Sequence, residues 1–449
     1  MKGDDVQRYF SGTDIEQLAR SCAFVERKSP ITGFKFLLTF TTGLLNTPDG
    51  SLAQLAAFLS LVCKTEVSTQ ALDGRLRIEA MAFMRCCLDK AFAMATRPRT
   101  FAGCAVADFD HIYIIDSTNF EIHPSLREIF KGSSGSGSTA SMRIQLVLDY
   151  LTGRLYTQIG DTKLCDAPTL QRIVENHELD VSGHCLFLSD LGYFKLATFK
   201  SIKENNLHFL SKLMFGVTLH DEMGKSLNLQ AVLKKEPDSF DMVVTIEGQT
   251  YRLVGKRLPD DVVSRRLRKA NRKAQKKCGG NGAVTDDYRR FARYAIFLTS
   301  LPAIYRMETL YTLYRIRWQI ELVFKTWKSI LIIHKIRSAR TERLMCEVYG
   351  KLILAAISAM IAARVEAMQD TIVVSLYRTM KHLHAVALYL AAAIMQGGTV
   401  LNAFIAKLIR EIARLCRKHQ QKNHPPIETL LQVALSAKGQ NAAPKTSLA

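Results

Sequence analysis

Apolar residues follow a helical period through about the first 105 residues, a strand-like period from about residue 106, and a helical period again beyond Pro302. In the opening stretch Ser51 stands before Leu52, Leu55, Ala56 and Leu59, and Ser68 before Ala71, Leu72 and Leu76, so each serine predicts a helix N-cap. Ala95–Phe101 predicts a connector. Strands are predicted at His111–Ile115, which ends at Asp116, and at Arg143–Tyr150, which turns at Thr152-Gly153 and returns as Leu155–Ile159. His184–Ser189 is a further buried strand ending at Asp190, and Tyr294–Thr299 another. Helices are predicted over Asp166–Glu175 and Lys195–Asn205, and residues 132–138, GSSGSGS, form a surface loop near a site. Between residues 206 and 290, the runs Leu207–Phe215, Leu227–Leu233, Asp241–Ile246 and Thr250–Val254 add four strand-like segments.

The most informative periodic segment is Tyr314–Lys328, YRIRWQIELVFKTWK. On one helix, Tyr314, Arg317, Glu321 and Lys328 share an arc of roughly 60°. Ile316, Ile320, Val323, Phe324, Trp327 and Leu331 occupy a separate arc suited to a core. A carboxylate suits a metal ion, and the cations and phenol suit phosphate oxygens. An amphipathic surface helix with an i,i−4 Glu–Arg pair satisfies the same spacing. Trp318 lies toward the polar arc, where it could stack on an unpaired base or pack at the core edge. The two N-terminal helices likewise match either a helix-turn-helix or a plain helical hairpin.

Charge narrows the partners. Lys and Arg total 61 against 41 Asp and Glu, a formal net charge of +20, which points to a polyanion such as nucleic acid. Eight of the thirteen residues in Arg265–Lys277 are basic, and as a helix they can track a phosphate backbone. A last amphipathic helix carries Leu401, Ile405, Leu408, Ile412 and Leu415 on one face, with Lys407, Arg410, Arg414, Arg417 and Lys418 at other positions. The ten cysteines include no C-x-x-C pair, which argues against a zinc ribbon and for reduced cytosolic thiols. The N-terminus has no apolar signal-peptide region. Lys351–Val365 and Ala385–Met395 fall short of the ~20 residues of a membrane span and read as core helices.

Three carboxylates share a context. Asp116 and Asp190 each end a buried strand, and Glu321 stands on the later helix. Clustered carboxylates repel unless cations neutralise them, and all-oxygen ligation favours Mg2+ or Mn2+. A two-ion site of this kind suits in-line displacement at phosphorus. Each Asp alone also fits an ordinary turn former at a strand end.

The spacing Y-(2)-R-(3)-E-(6)-K at Tyr314, Arg317, Glu321 and Lys328 resembles that of the DDE transposases of bacterial insertion sequences. So do the blocks IIDST around Asp116, FLSDLGYF around Asp190, and YAIFLTSLP before the helix. The resemblance covers roughly residues 40 to 365, with Leu191 standing where basic residues are frequent. It implies an α/β fold: an RNase H-like core with a β-rich insertion between the second Asp and the Glu, flanked by helical terminal regions. The expected order is a DNA-binding helical region over 1–105, core over 106–205, insertion over 206–290, core with the Glu helix over 291–395, and a helical region with tail over 396–449. Asp116, Asp190 and Glu321 would be catalytic and would ligate Mg2+ or Mn2+; Tyr314, Arg317 and Lys328 would bind DNA. The implied activity is binding of terminal inverted repeats, metal-dependent strand cleavage and strand transfer, by a cytoplasmic, nucleoid-associated homodimer on double-stranded DNA and not on membranes. A structure-specific nuclease using the same carboxylates, or a catalytically silent DNA-binding relic, are the alternatives.

Overall fold

The computed structural model describes residues 5–46, 50–94, 105–132, 138–176, 178–277, 282–368 and 373–418. Ala95–Phe101 and most of the GSSGSGS segment lie outside the described residues. The strands are β1 His111–Glu121, β2 Ser141–Asp149, β3 Leu155–Gly160, β4 Cys185–Ser189, β5 His208–Lys212, β6 Leu219–His220, β7 Ser226–Leu227, β8 Ser239–Ile246, β9 Gln249–Arg257 and β10 Tyr294–Thr299. Two compact units form. The first takes residues up to 94, 117–164 and 318–418, and the second takes 105–116 and 165–317.

The second unit is built on a sheet ordered β1-β4-β5-β10-β9-β8-β6-β7. β1, β4 and β5 are parallel, whereas β10 runs antiparallel to β5 and to β9. The near-continuous burial of β4 and β10 is what a sheet covered on both faces requires. β5 thus belongs with the parallel strands, beside β4. Leu227–Leu233, expected as a strand, is mostly the helix Leu229–Lys234, because the Asn228 side chain accepts from the Ala231 N–H and caps a first turn. The basic segment is helical as expected, within Asp260–Lys277.

In the first unit β2 and β3 form the expected hairpin, paired from Arg143↔Gly160 to Leu148↔Leu155, with Gly153 at φ +70° in the turn. Strand order there is β3-β2-β1, so β1 is common to both units and the series β3-β2-β1-β4-β5 is that of an RNase H-like core. The rest of this unit is mainly helical. Thr341–Met368 is long and apolar enough to cross a membrane, yet 94% of its most apolar window is buried inside the fold. Its Gly350 lies against the carbonyl of Phe40, in the widened turn Thr39–Gly43. Ala387–Gln396 is buried along one side only, with Leu388 and Tyr389 exposed. The two N-terminal helices are Leu52–Leu61 and Thr69–Asp73, the latter capped by Ser68 Oγ on the Ala71 N–H. Five residues are little more than one turn, which favours the hairpin over a groove-reading helix.

Candidate active site

The two aspartates are brought together by register. β1 and β4 are aligned through Ile115↔Ser189, so Asp116 and Asp190 are the next residues on neighbouring parallel strands. In-register residues project to the same face at a strand spacing of about 4.8 Å. β1 does not end at Asp116 as its sequence suggests; the strand continues to Glu121, and only its pairing with β4 stops at Ile115. Asp190 does leave its strand. Its Oδ1 accepts from the Leu191 N–H at 2.7 Å, capping the turn Leu191–Tyr193. The turn-forming role and a role in the site are therefore compatible at this residue.

Tyr314 and Arg317 reach these aspartates from the helix Met307–Ile316 and its end. The Arg317 Nη1 lies 3.5 Å from Asp116 Oδ2, and Arg317 is only 8% exposed. The Tyr314 hydroxyl donates to the Ser189 carbonyl at 3.1 Å, immediately before Asp190. Burial pushes the Tyr314 phenol well above its usual pKa, with Arg317 opposing and the charges of Asp190 and Asp116 adding to the rise. The ring packs on Phe297 at 4.7 Å, and Lys212 Nζ sits 5.4 Å from its centroid. Nothing in the sequence singles out Lys212. It is one residue of β5, and its approach to Tyr314 depends on where that strand joins the sheet.

The segment expected as a single helix is two. Met307–Ile316 and Trp318–Ser329 meet at Arg317, whose N–H bonds to the Tyr314 carbonyl three residues back at 3.2 Å. This tightened turn is a 3₁₀-type step between the helices. Glu321 and Lys328 lie in the first and last turns of the second helix and belong to the first unit, both half-buried. The predicted apolar side holds: Ile320, Val323, Phe324 and Trp327 are buried. Trp318 is 55% exposed, so its ring is not a core-edge filler. Among the described residues no three His, Cys, Asp or Glu side chains stand together as a metal-binding group. The donors that register does bring together are carboxylates, the oxygen chemistry that suits a hard divalent cation.

The helix Asp260–Lys277 divides its charges. Arg266 turns inward, donating to the Tyr294 carbonyl at 2.9 Å, and Arg265 pairs with Asp261 at 2.7 Å. Arg268, Lys269, Arg272, Lys273 and Lys276 remain exposed.

Comparison with known proteins identifies the family. A family described as transposase DDE domain matches residues 108–357. The transposase of insertion sequence element IS231B from Bacillus thuringiensis subsp. berliner is 27% identical over 373 residues, 78% of this chain and 77% of that protein. The IS1151 transposase of Clostridium perfringens is 26% identical over 378 residues, 79% of each chain. Among solved structures, a piggyBac transposase synaptic complex with hairpin DNA aligns over 94% of this chain and 87% of that one, with 12% identity and a TM-score of 0.48. That family uses divalent metal ions and performs phosphoryl transfer on DNA. With the matched domain covering more than half of the sequence, the chain belongs to the DDE transposases of bacterial insertion sequences.

Proposed function

We propose that the protein binds the terminal inverted repeats of its insertion sequence, cleaves the element ends, and joins the resulting 3′-hydroxyls to target DNA. In this reading Asp116, Asp190 and Glu321 hold Mg2+ or Mn2+. Tyr314, Arg317 and Lys328 hold the DNA end, and the protein acts as a homodimer in the bacterial cytoplasm, associated with the nucleoid. The observation that carries the proposal is the in-register placement of Asp116 and Asp190 beside Arg317.

Bound to the carboxylates, the metal supplies charge that acidifies the attacking water or 3′-hydroxyl and stabilises the leaving oxygen. The chain's own groups do the rest. Arg317 presents a guanidinium whose fork matches a phosphate, and Lys328 adds a point charge. Beside its place at the DNA end, Tyr314 fixes the strand end that carries Asp190, through its hydroxyl on the Ser189 carbonyl. Trp318 offers an exposed face to an unpaired base. The exposed row from Arg268 to Lys276 supplies contacts to the backbone outside the cleavage point.

Labelled end DNA incubated with purified protein and Mg2+ or Mn2+ tests the reading, with Asp116→Ala, Asp190→Ala and Glu321→Ala alongside. Nicked and joined products from wild type, and none from the three variants, are expected. Absence of both products from folded wild type would sink the proposal, and full activity of Glu321→Ala would refute the ligand set. Cleavage without joining would leave a structure-specific nuclease on the same carboxylates.

A further inference from the structure

The C-terminal helical region carries a charge pattern that the site above does not use. Between Leu376 and Lys418 there are seven Lys or Arg and one acidic residue, Glu411. That glutamate faces a histidine, with Oε2 lying 3.0 Å from His382 Nε2. On the helix Gly398–Leu415 the buried side is Leu401, Ile405, Leu408, Ile409, Ile412 and Ala413. Leu415, expected on that side, is 48% exposed. Lys407, Arg410 and Arg414 follow at i, i+3 and i+7 on an arc of roughly 60° away from it. All three are exposed.

A second helix adds to the row. Arg417 follows the helix end, its Nε donating to the Ala413 carbonyl at 2.8 Å. A bridge between Val374 and Arg417, with Ser375 N–H on the Cys416 carbonyl at 2.8 Å, staples that end to the start of Leu376–Ala385. Arg378 Nη1 donates to the Arg417 carbonyl at 3.2 Å, and Lys381 lies exposed one turn further on. Arg417 thus also serves as a cap for a helix carbonyl.

Lys381, Lys407, Arg410 and Arg414 have no ion-pair partner among the described residues. Elsewhere in the same unit cations are paired, as in Arg85–Asp89, Lys90–Asp14 and Arg340–Asp73. Like charges one turn apart repel, so an unneutralised row costs the fold stability. From residue 407 to 417 the row spans about 15 Å, roughly four base-pair steps of a duplex at ~3.4 Å each.

We propose that Lys407, Arg410 and Arg414, with Arg378 and Lys381, form a second DNA-contact surface that binds the duplex phosphate backbone without regard to sequence. Duplex DNA is chosen as the polyanion because the chain is a transposase, and the proposal rests on that reading to this extent.

The test uses the full chain and random-sequence duplex DNA, with affinity measured across salt concentrations. Each lost phosphate contact lowers the slope of log affinity against log salt by about 0.9, so the triple variant K407A/R410A/R414A should lose roughly 2.5–3. Lys90→Ala, which removes a cation of the same unit that is paired with Asp14, should keep the wild-type slope, which separates this row from paired surface cations. If wild type proves unable to cleave end DNA but the triple variant still flattens the slope, the surface stands and the proposed reaction falls. An unchanged slope and affinity would overturn the surface and leave the reaction untouched. Lysine acylation of wild type covers the case of a misfolded variant: DNA should protect Lys381 and Lys407. Protection by anionic lipid vesicles and not by DNA would assign the surface to a membrane instead and overturn the proposal.

Discussion

The hydroxyl of Tyr314 donates to the carbonyl of Ser189, and Ser189 is paired with Ile115 across the two strands that carry the aspartates. One side chain therefore ties the end of the Met307–Ile316 helix to the strand end from which Asp190 projects. Tyr314→Phe keeps the ring against Phe297 but leaves a buried carbonyl without this donor. The expected cost is about 1–2 kcal/mol of stability, read from urea unfolding, together with slower single-turnover nicking at saturating metal. Unaltered stability and rate would show that the bond positions nothing.

On the proposed reading, Arg317 would bear on the metal as well as on DNA. With its Nη1 3.5 Å from Asp116 Oδ2, the guanidinium supplies positive charge where a divalent cation would bind. Arg317→Ala should lower the Mg2+ concentration needed for half-maximal nicking while reducing the maximal rate, because competing charge and phosphate contact are removed together. A Mg2+ titration superimposable on wild type contradicts this.

His208 makes stability depend on pH. Burial, and then the neighbouring His184, push its pKa below the ordinary 6.5. The folded protein thus favours the neutral ring, and the unfolded chain takes up the proton first as pH falls. The stabilisation is complete above about 6.5 and is lost as pH drops through the lowered folded value. Melting temperature should fall from pH 7.5 to 5.5, and His208→Gln should flatten that fall. His334, also lowered by burial and by Lys335, Lys328 and Lys351, leaves part of the slope in place. A variant with the full wild-type slope would exclude His208 as a source.

Gly350 permits a close approach that no other residue allows. A Cβ there would stand 1.7 Å from the Phe40 carbonyl oxygen, a backbone atom that cannot rotate aside. Gly350→Ala should cost about 3 kcal/mol or more through forced backbone movement, seen as a large drop in melting temperature. Gly12→Ala, whose Cβ meets nothing within 4 Å, is the matched control and should change little.

Local pattern by itself determined much of this protein. The hairpin at Thr152-Gly153, the helix Asp166–Glu175, the strand Tyr294–Thr299 and the basic helix are each set by short-range periodicity and turn chemistry. So are the ends of the apolar runs at Asp116 and Asp190, and the spacing from Tyr314 to Lys328. Tertiary structure decided what depends on partners distant in the chain. β5 lies parallel to β4 and antiparallel to β10, a pairing that joins residues about ninety positions apart and that no local period encodes. The polar arc of Tyr314 and Arg317 matches a solvent-facing stripe by pattern, yet both residues are buried, because the neighbouring strand ends offer them a carbonyl and a carboxylate. Spacing could place these groups on one arc. Only the assembled sheet could supply what they face.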